Sequence, residues 1–224
     1  MELISVHVPK TAGVTFRTLL RTVYGTSGLS LDYGDRALDP LSTFQADPPL
    51  WREKSTRQAA ALSPATRVIH GHFAGSKYDA HFPEARKIVW LRDPVARLIS
   101  HYHYWRGLPP SPHSLHQRLL NENLSLLEFA RLDGMRNILA HVFLRDCRLE
   151  DFAFVGVQEH FAADLKALAT LLGWPVGLAI GDENRNSSAE YRTAKLGDDE
   201  REEIAALNAE DIALYNRALT GRQP

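Results

Sequence analysis

The chain has 224 residues, 44% apolar and 24% charged, which suits one globular domain over 1–224 with a sizeable core. Its 26 basic and 27 acidic residues nearly cancel, so there is no electrostatic case for a nucleic-acid partner. Cys147 is alone, which excludes an internal disulfide and fits a reducing compartment; with no signal peptide and no integral membrane segment evident, the expected location is cytoplasmic.

In chain order, the apolar run Leu3-Ile-Ser-Val-His-Val8 predicts a strand. Pro9-Lys-Thr-Ala-Gly-Val-Thr15 follows, and then Phe16, Leu19, Leu20 and Val23 fall at i, i+3, i+4 and i+7, one face of a helix. A strand turning through a Lys and a Gly into a helix start is a ready oxyanion site. Free first-turn N–H groups, the positive dipole end and the Lys10 ammonium all favour phosphate or sulfate there. Thr11 and Thr15 would add hydroxyl donors. The loop is not a Walker A motif, because Lys10 precedes Gly13 and no earlier glycine builds the wide loop.

Residues 29–66 are polar, contain Pro48-Pro49 and lack clear periodicity, so they read as a loop-like insertion. Val68-Ile-His-Gly-His-Phe-Ala-Gly75 is a short β-type run, and strand alternation puts His70 and His72 on one face. A histidine there can take up a proton near neutrality. With no Cys or third His at zinc-like spacing, a metal is not expected. His7, His101, His103, His113, His116 and His160 are assigned structural or surface roles by default.

Lys87–Tyr102 reads as a second strand entering a helix, with Asp93 as N-cap and Pro94 at the first helical position. Val95, Leu98, Ile99 and Tyr102 form the buried stripe, leaving Arg97, Ser100 and His101 towards another side. Arg92 falls at the strand's carboxyl end, where ligands of open α/β sheets bind. Three prolines make 107–114 a turn-rich loop. Asp151–Gln158 is a further strand, followed by a helix over Glu159–Leu172 stopped by Gly173. Two helices close the chain, one capped by Asp198 or Asp199 and running to Leu207, one over about 210–219 with Ile212, Tyr215 and Leu219 inward. This alternation predicts an α/β fold with a mostly parallel sheet.

The order Pro-Lys-Thr-x-Gly-x-[Ser/Thr]-Phe at 9–16 resembles the 5′-phosphosulfate loop of sulfotransferases that use 3′-phosphoadenosine 5′-phosphosulfate (PAPS), the carbohydrate and heparan sulfate 2-O-sulfotransferases looking closest. Leu-Arg-Asp-Pro-x-x-Arg-x-x-Ser-x-Tyr at 91–102 is similar to the family's 3′-phosphate motif, and His70-Gly-His72 to its base-bearing segment. Val155-Gly-x-x-Glu-x-Phe161 and the loop 182–188 also look like the family. The resemblance implies a P-loop-NTPase-like three-layer fold and PAPS as sulfuryl donor, with the desulfated nucleotide PAP (3′-phosphoadenosine 5′-phosphate) as product and no metal. It implies a hydroxyl-bearing acceptor, a saccharide among the candidates. Lys10, Thr11, Ala12, Gly13, Val14, Thr15 and Phe16 would cradle the 5′ end of the donor, Arg92 and Ser100 its 3′-phosphate, and Asn186 would lie over it. Lys10 would stabilise the leaving oxygen, His72 would be the general base and His70 its neighbour. Without the anchor of Golgi relatives the chain reads as a bacterial-type enzyme, with a homodimer as the default assembly. The alternatives are a P-loop-type small-metabolite kinase and a non-catalytic PAP-binding protein.

Overall fold

The computed structural model describes residues 1–175 and 196–221. Along the chain come β1 (Leu3–Val6), α1 (Gly13–Gly28), β2 (Leu29–Asp32), α2 (Thr43–Ala46), α3 (Pro48–Ala60), β3 (Val68–Gly71) and β4 (Arg86–Leu91). Then follow α4 (Pro94–Arg106), α5 (Ser114–Asn121), α6 (Leu126–Ala130), β5 (Phe154–Val157), α7 (Phe161–Leu172), α8 (Asp198–Leu207) and α9 (Ala209–Thr220). The strands form one sheet in the order β2-β3-β1-β4-β5, every neighbouring pair parallel.

Strand alternation divides the core into two layers. Leu3, Val68, Ile88 and Trp90 point to one face and pack with Phe16, Leu19 and Leu20 of α1 and Leu165 and Leu168 of α7. Ile4, Val6, Ile69, Val89 and Leu91 point to the other, against Leu98 and Tyr102 of α4, Phe129 of α6, Ile204 of α8 and Tyr215 of α9. The sheet is therefore the middle of three layers, and the predicted α/β class with a parallel sheet is what the chain adopts.

Three expectations need correction. Residues 29–66 are not an unstructured insertion but carry β2, α2 and α3. β2 is a four-residue edge strand, too short for a periodic signal, with Leu31 40% exposed. The Pro48-Pro49 pair, which reads as a breaker, occupies the first turn of α3, where proline's missing N–H costs nothing, and the Asp47 carboxylate caps Leu50 N–H at 3.1 Å. Only Ser55 of α3 is buried, so no apolar stripe marks that helix. Second, Arg97 and His101 are as buried as the apolar stripe of α4, each 2% exposed, because α4 is covered by helices as well as by the sheet. Third, α9 buries Asp211 and Ala218 beside the expected Tyr215, with Leu219 packed against the core and Ile212 only half-buried. Asp211 turns inward because its carboxylate accepts the N–H groups of Leu139 and Ala140 at 3.0 and 2.9 Å.

Candidate active site

β1 lies at the centre of the sheet. The chain leaves it towards β3 and β2 on one side and returns to β4 and β5 on the other. The carboxyl ends of β1 and β4 thus flank the switch point, where such sheets open a crevice. The registers pair Ser5 with His70 and Val6 with Gly71, so the next step along both strands sets His7 beside His72. Their ring centroids are 4.4 Å apart, and His7 also stacks on His70 at 5.1 Å. Behind them Ser5 Oγ and His70 Nδ1 are 2.9 Å apart; in front, the Tyr33 hydroxyl is 3.3 Å from His7 Nδ1. His72 N–H donates to the Asp32 carbonyl at 2.9 Å, tying it to the end of β2.

Two glycines are demanded by close approach. A Cβ on Gly13 would overlap the His7 imidazole, so this glycine seats the ring as well as opening α1. A Cβ on Gly71 would overlap the Asp32 carbonyl of the neighbouring strand.

The β1–α1 loop turns through two left-handed residues that are not glycine, Lys10 (φ 72°) and Ala12 (φ 63°), a conformation more often kept where the chain must take one path to a site. Ala12 is the N-cap of α1 and no side chain among the described residues caps that helix, which leaves its first-turn N–H groups open to a ligand there. Arg92 Nη1 donates to the Lys10 carbonyl at 3.1 Å, joining the ends of β4 and β1. Lys10 Nζ sits 3.8 Å from the centroid of the Tyr104 ring.

The sequence-predicted residues divide on this geometry. Lys10, Ala12, Gly13, Val14, His72, Arg92 and Ser100 line one cleft of about 350 Å³. Thr11 instead uses its hydroxyl to donate to the Val8 carbonyl at 2.8 Å. Thr15 is 5% exposed, and its Oγ1 has no hydrogen-bond partner among the described residues. Phe16 is fully buried against Trp90 and Trp174, and its N–H is spent on the Ala12 carbonyl, so it props the loop from the core side. His70 is 1% exposed beneath His7 and does not line the cleft. Asn186 lies outside the described residues.

Sequence reasoning missed His7, Tyr33 and Tyr104, which line the same cleft. For His7 a signal existed: residues 3, 5 and 7 share one face of β1, which places it with the histidine pair once β1 and β3 are neighbours. Tyr33 lay in a segment read as loop. Tyr104 follows Ser100 by one helical turn.

Burial governs the electrostatics. It holds His7 well below its ordinary range, His72 down to about 4 against the opposing pull of Asp32, and His70 down to about 3 with His72 adding to the effect. His72 Nε2 is buried with no partner among the described residues. At neutral pH the His72 ring is a neutral imidazole lining the cleft. Burial first and the Arg92 charge second lower the Lys10 ammonium to about 8. An anion entering between Lys10 and Arg92 would reverse that. The site as built presents two cations and a helix start to an anion, and a neutral imidazole beside them.

No family model and no curated protein matches the sequence. Among solved structures the chain is similar to a sulfotransferase from Alicyclobacillus acidocaldarius, with 14% identity and a TM-score of 0.50 over 100% of this chain and 97% of that one. It is also similar to a mouse sulfotransferase solved in complex with PAP, at 15% identity and a TM-score of 0.42, over 100% of this chain. The chain spans 66% of the length of that mouse protein. At these identities the likeness to the bacterial structure is one of fold: an α/β, P-loop-like architecture around a parallel sheet. Among the described residues, no helix is long and apolar enough to cross a membrane.

Proposed function

We propose that this protein is a PAPS-dependent sulfotransferase acting on a hydroxyl acceptor, a carbohydrate on the strength of the motif resemblance. One observation carries the reading: the carboxyl ends of β1, β3 and β4 bring an uncapped helix start, Lys10, Arg92, Ser100 and the neutral His72 to a single cleft. The residues fit such a donor. The Lys10 ammonium, on which burial and the Arg92 charge act, and a buried Thr15 hydroxyl with no partner among the described residues suit a nucleotide that is anionic at both its 5′ and 3′ ends.

When bound, PAPS would supply the sulfuryl group. The loop from Lys10 to Thr15 holds its 5′ end, and Arg92 and Ser100 its 3′-phosphate. The Lys10 ammonium faces the charge that grows on the leaving oxygen, an interaction stronger in the transition state than in the ground state. His72 Nε2 takes the proton from the attacking acceptor hydroxyl. Tyr33 and His7 fix the His72 ring from two sides.

Donor selectivity tests the reading. A 3′-phosphate held by Arg92 and Ser100 gains charge-assisted hydrogen bonds worth ~1.5–3 kcal/mol each, so PAP should bind at least about tenfold more tightly than AMP. Arg92→Ala should erase most of that preference while leaving AMP affinity nearly unchanged. Calorimetric titration of both nucleotides into both proteins decides it, and equal wild-type affinities would sink the proposal. A kinase would instead prefer ATP with Mg²⁺, and a non-catalytic binder would keep the preference without turnover.

A further inference from the structure

Among the described residues, the Lys10 ammonium rests on an aromatic face and no carboxylate pairs with it. Its Nζ lies 3.8 Å from the Tyr104 ring centroid, well inside the range of about 6 Å for a cation–π contact. Lys10 comes from the β1–α1 loop and Tyr104 from α4, so the contact closes across the crevice between β1 and β4. Tyr104 is 46% exposed, so the core does not dictate where its ring lies. Among the described residues, the other charged or titratable groups acting with Lys10 are Arg92 at the end of β4, His7 after β1 and His101 on α4. Arg92 repels the ammonium, and both histidines are kept neutral by burial.

We propose that Tyr104 is a positioning residue for Lys10, its ring face holding the ammonium in the crevice and keeping it charged there before the donor arrives. The chemistry favours a ring for this task. A carboxylate would also hold the ammonium, but its negative charge would repel an anionic donor and compete with it for Lys10. The ring quadrupole attracts the cation while adding no net charge. Nothing about the contact requires the phenolic hydroxyl, so phenylalanine should serve as well. The functional meaning rests on the sulfuryl-transfer reading; the contact itself does not.

The test reads Lys10 directly. In protein labelled with ¹³C at the lysine ε-carbon, the Lys10 signal, assigned through Lys10→Arg, is titrated by NMR without any nucleotide. Tyr104→Leu keeps an apolar cover and removes the π face, so the Lys10 midpoint should fall by roughly half a pH unit. Tyr104→Phe should leave it where the wild type has it. Tyr104→Met repeats the comparison with a second apolar cover, and thermal melts verify that each variant is folded. Leu and Met variants titrating like the wild type would overturn the proposal. In the turnover assay, the alkaline limb of the kcat profile should move to lower pH in Tyr104→Leu and not in Tyr104→Phe. A wild type without turnover would remove the sulfotransferase reading and leave the NMR result standing. Active enzyme with an unmoved Lys10 midpoint would remove Tyr104 alone.

Discussion

At the scale of single residues, the two histidines of the His-Gly-His run do different work although alternation gives them one face. His72 stands where β3 has ended and lines the cleft, with Nε2 buried and its backbone tied to Asp32. His70 lies two residues earlier, inside the strand, 1% exposed, beside Ser5 Oγ and under the His7 ring. With His72 as the proposed general base, replacing it by alanine should remove ~10²–10⁴-fold of turnover while the proposed PAP binding persists and the melting temperature changes little. His70→Ala should do the opposite. It opens a cavity under the cluster and strands a buried hydroxyl, so it should cost about 2–4 kcal/mol of stability before any effect on chemistry. Urea unfolding together with single-turnover rates separates the two. A stable, inactive His70→Ala beside an active His72→Ala would show that the base is the deeper ring.

At the scale of elements, the loops that build the site are fixed by how closely strands approach one another. Gly71 lies in β3, where alanine would ordinarily stabilise the chain by limiting the unfolded state. Its neighbour reverses the sign: a Cβ would overlap the Asp32 carbonyl of β2, which is backbone and cannot swing away. Gly71→Ala should thus destabilise the protein by about 1–3 kcal/mol, the usual cost of overpacking. It should also weaken the hydrogen bond from His72 N–H to Asp32, so turnover falls along with the urea midpoint. An unchanged midpoint would mean that β2 is free to move off β3. The same dependence on neighbours explains what could be read in advance. β1 with α1, β3, and β4 with α4 announce themselves locally, through apolar runs, the Asp93–Pro94 helix start and the glycine after Lys10. β2 and α3 do not, because a four-residue edge strand and a solvent-covered helix leave no period. The loop from Lys10 to Gly13, His72, Arg92 and Ser100 could be placed from motif order. His7, Tyr33 and Tyr104 could not, since their positions depend on β1 pairing with β3, on β2 joining the edge, and on α4 crossing to the loop after β1.

At the scale of the whole molecule, the fold withholds protons from a large set of imidazoles. Burial is the leading cause for His7, His70, His72, His101 and His113, all held below the ordinary histidine range, His72 and His113 to about 4 and His70 to about 3. The unfolded chain has no such burial and takes up protons near pH 6.5, so acid favours unfolding. Stability from this source is full above about pH 6.5 and is lost as pH falls towards the folded-state values, at ~1.4 kcal/mol per pH unit for each histidine that stays neutral. Asp35 and Asp211, both raised by burial, act with the opposite sign, from their ordinary value of 3.8 upward. Five histidines set against these two carboxylates should still govern the window from about pH 6.5 to 4.5. The urea midpoint should decline steadily across it, and unfolding at pH 5.5 should take up more than about one proton per chain, measured calorimetrically in two buffers of different ionisation enthalpy. Because the five groups lie on both sides of the cleft, after β1, in and after β3, on α4 and just before α5, no single replacement should flatten the decline. His113→Gln, at the rim, should remove about one histidine's share of the slope. A midpoint that stays level from pH 7.5 to 5 would show that these rings are solvated in the folded protein.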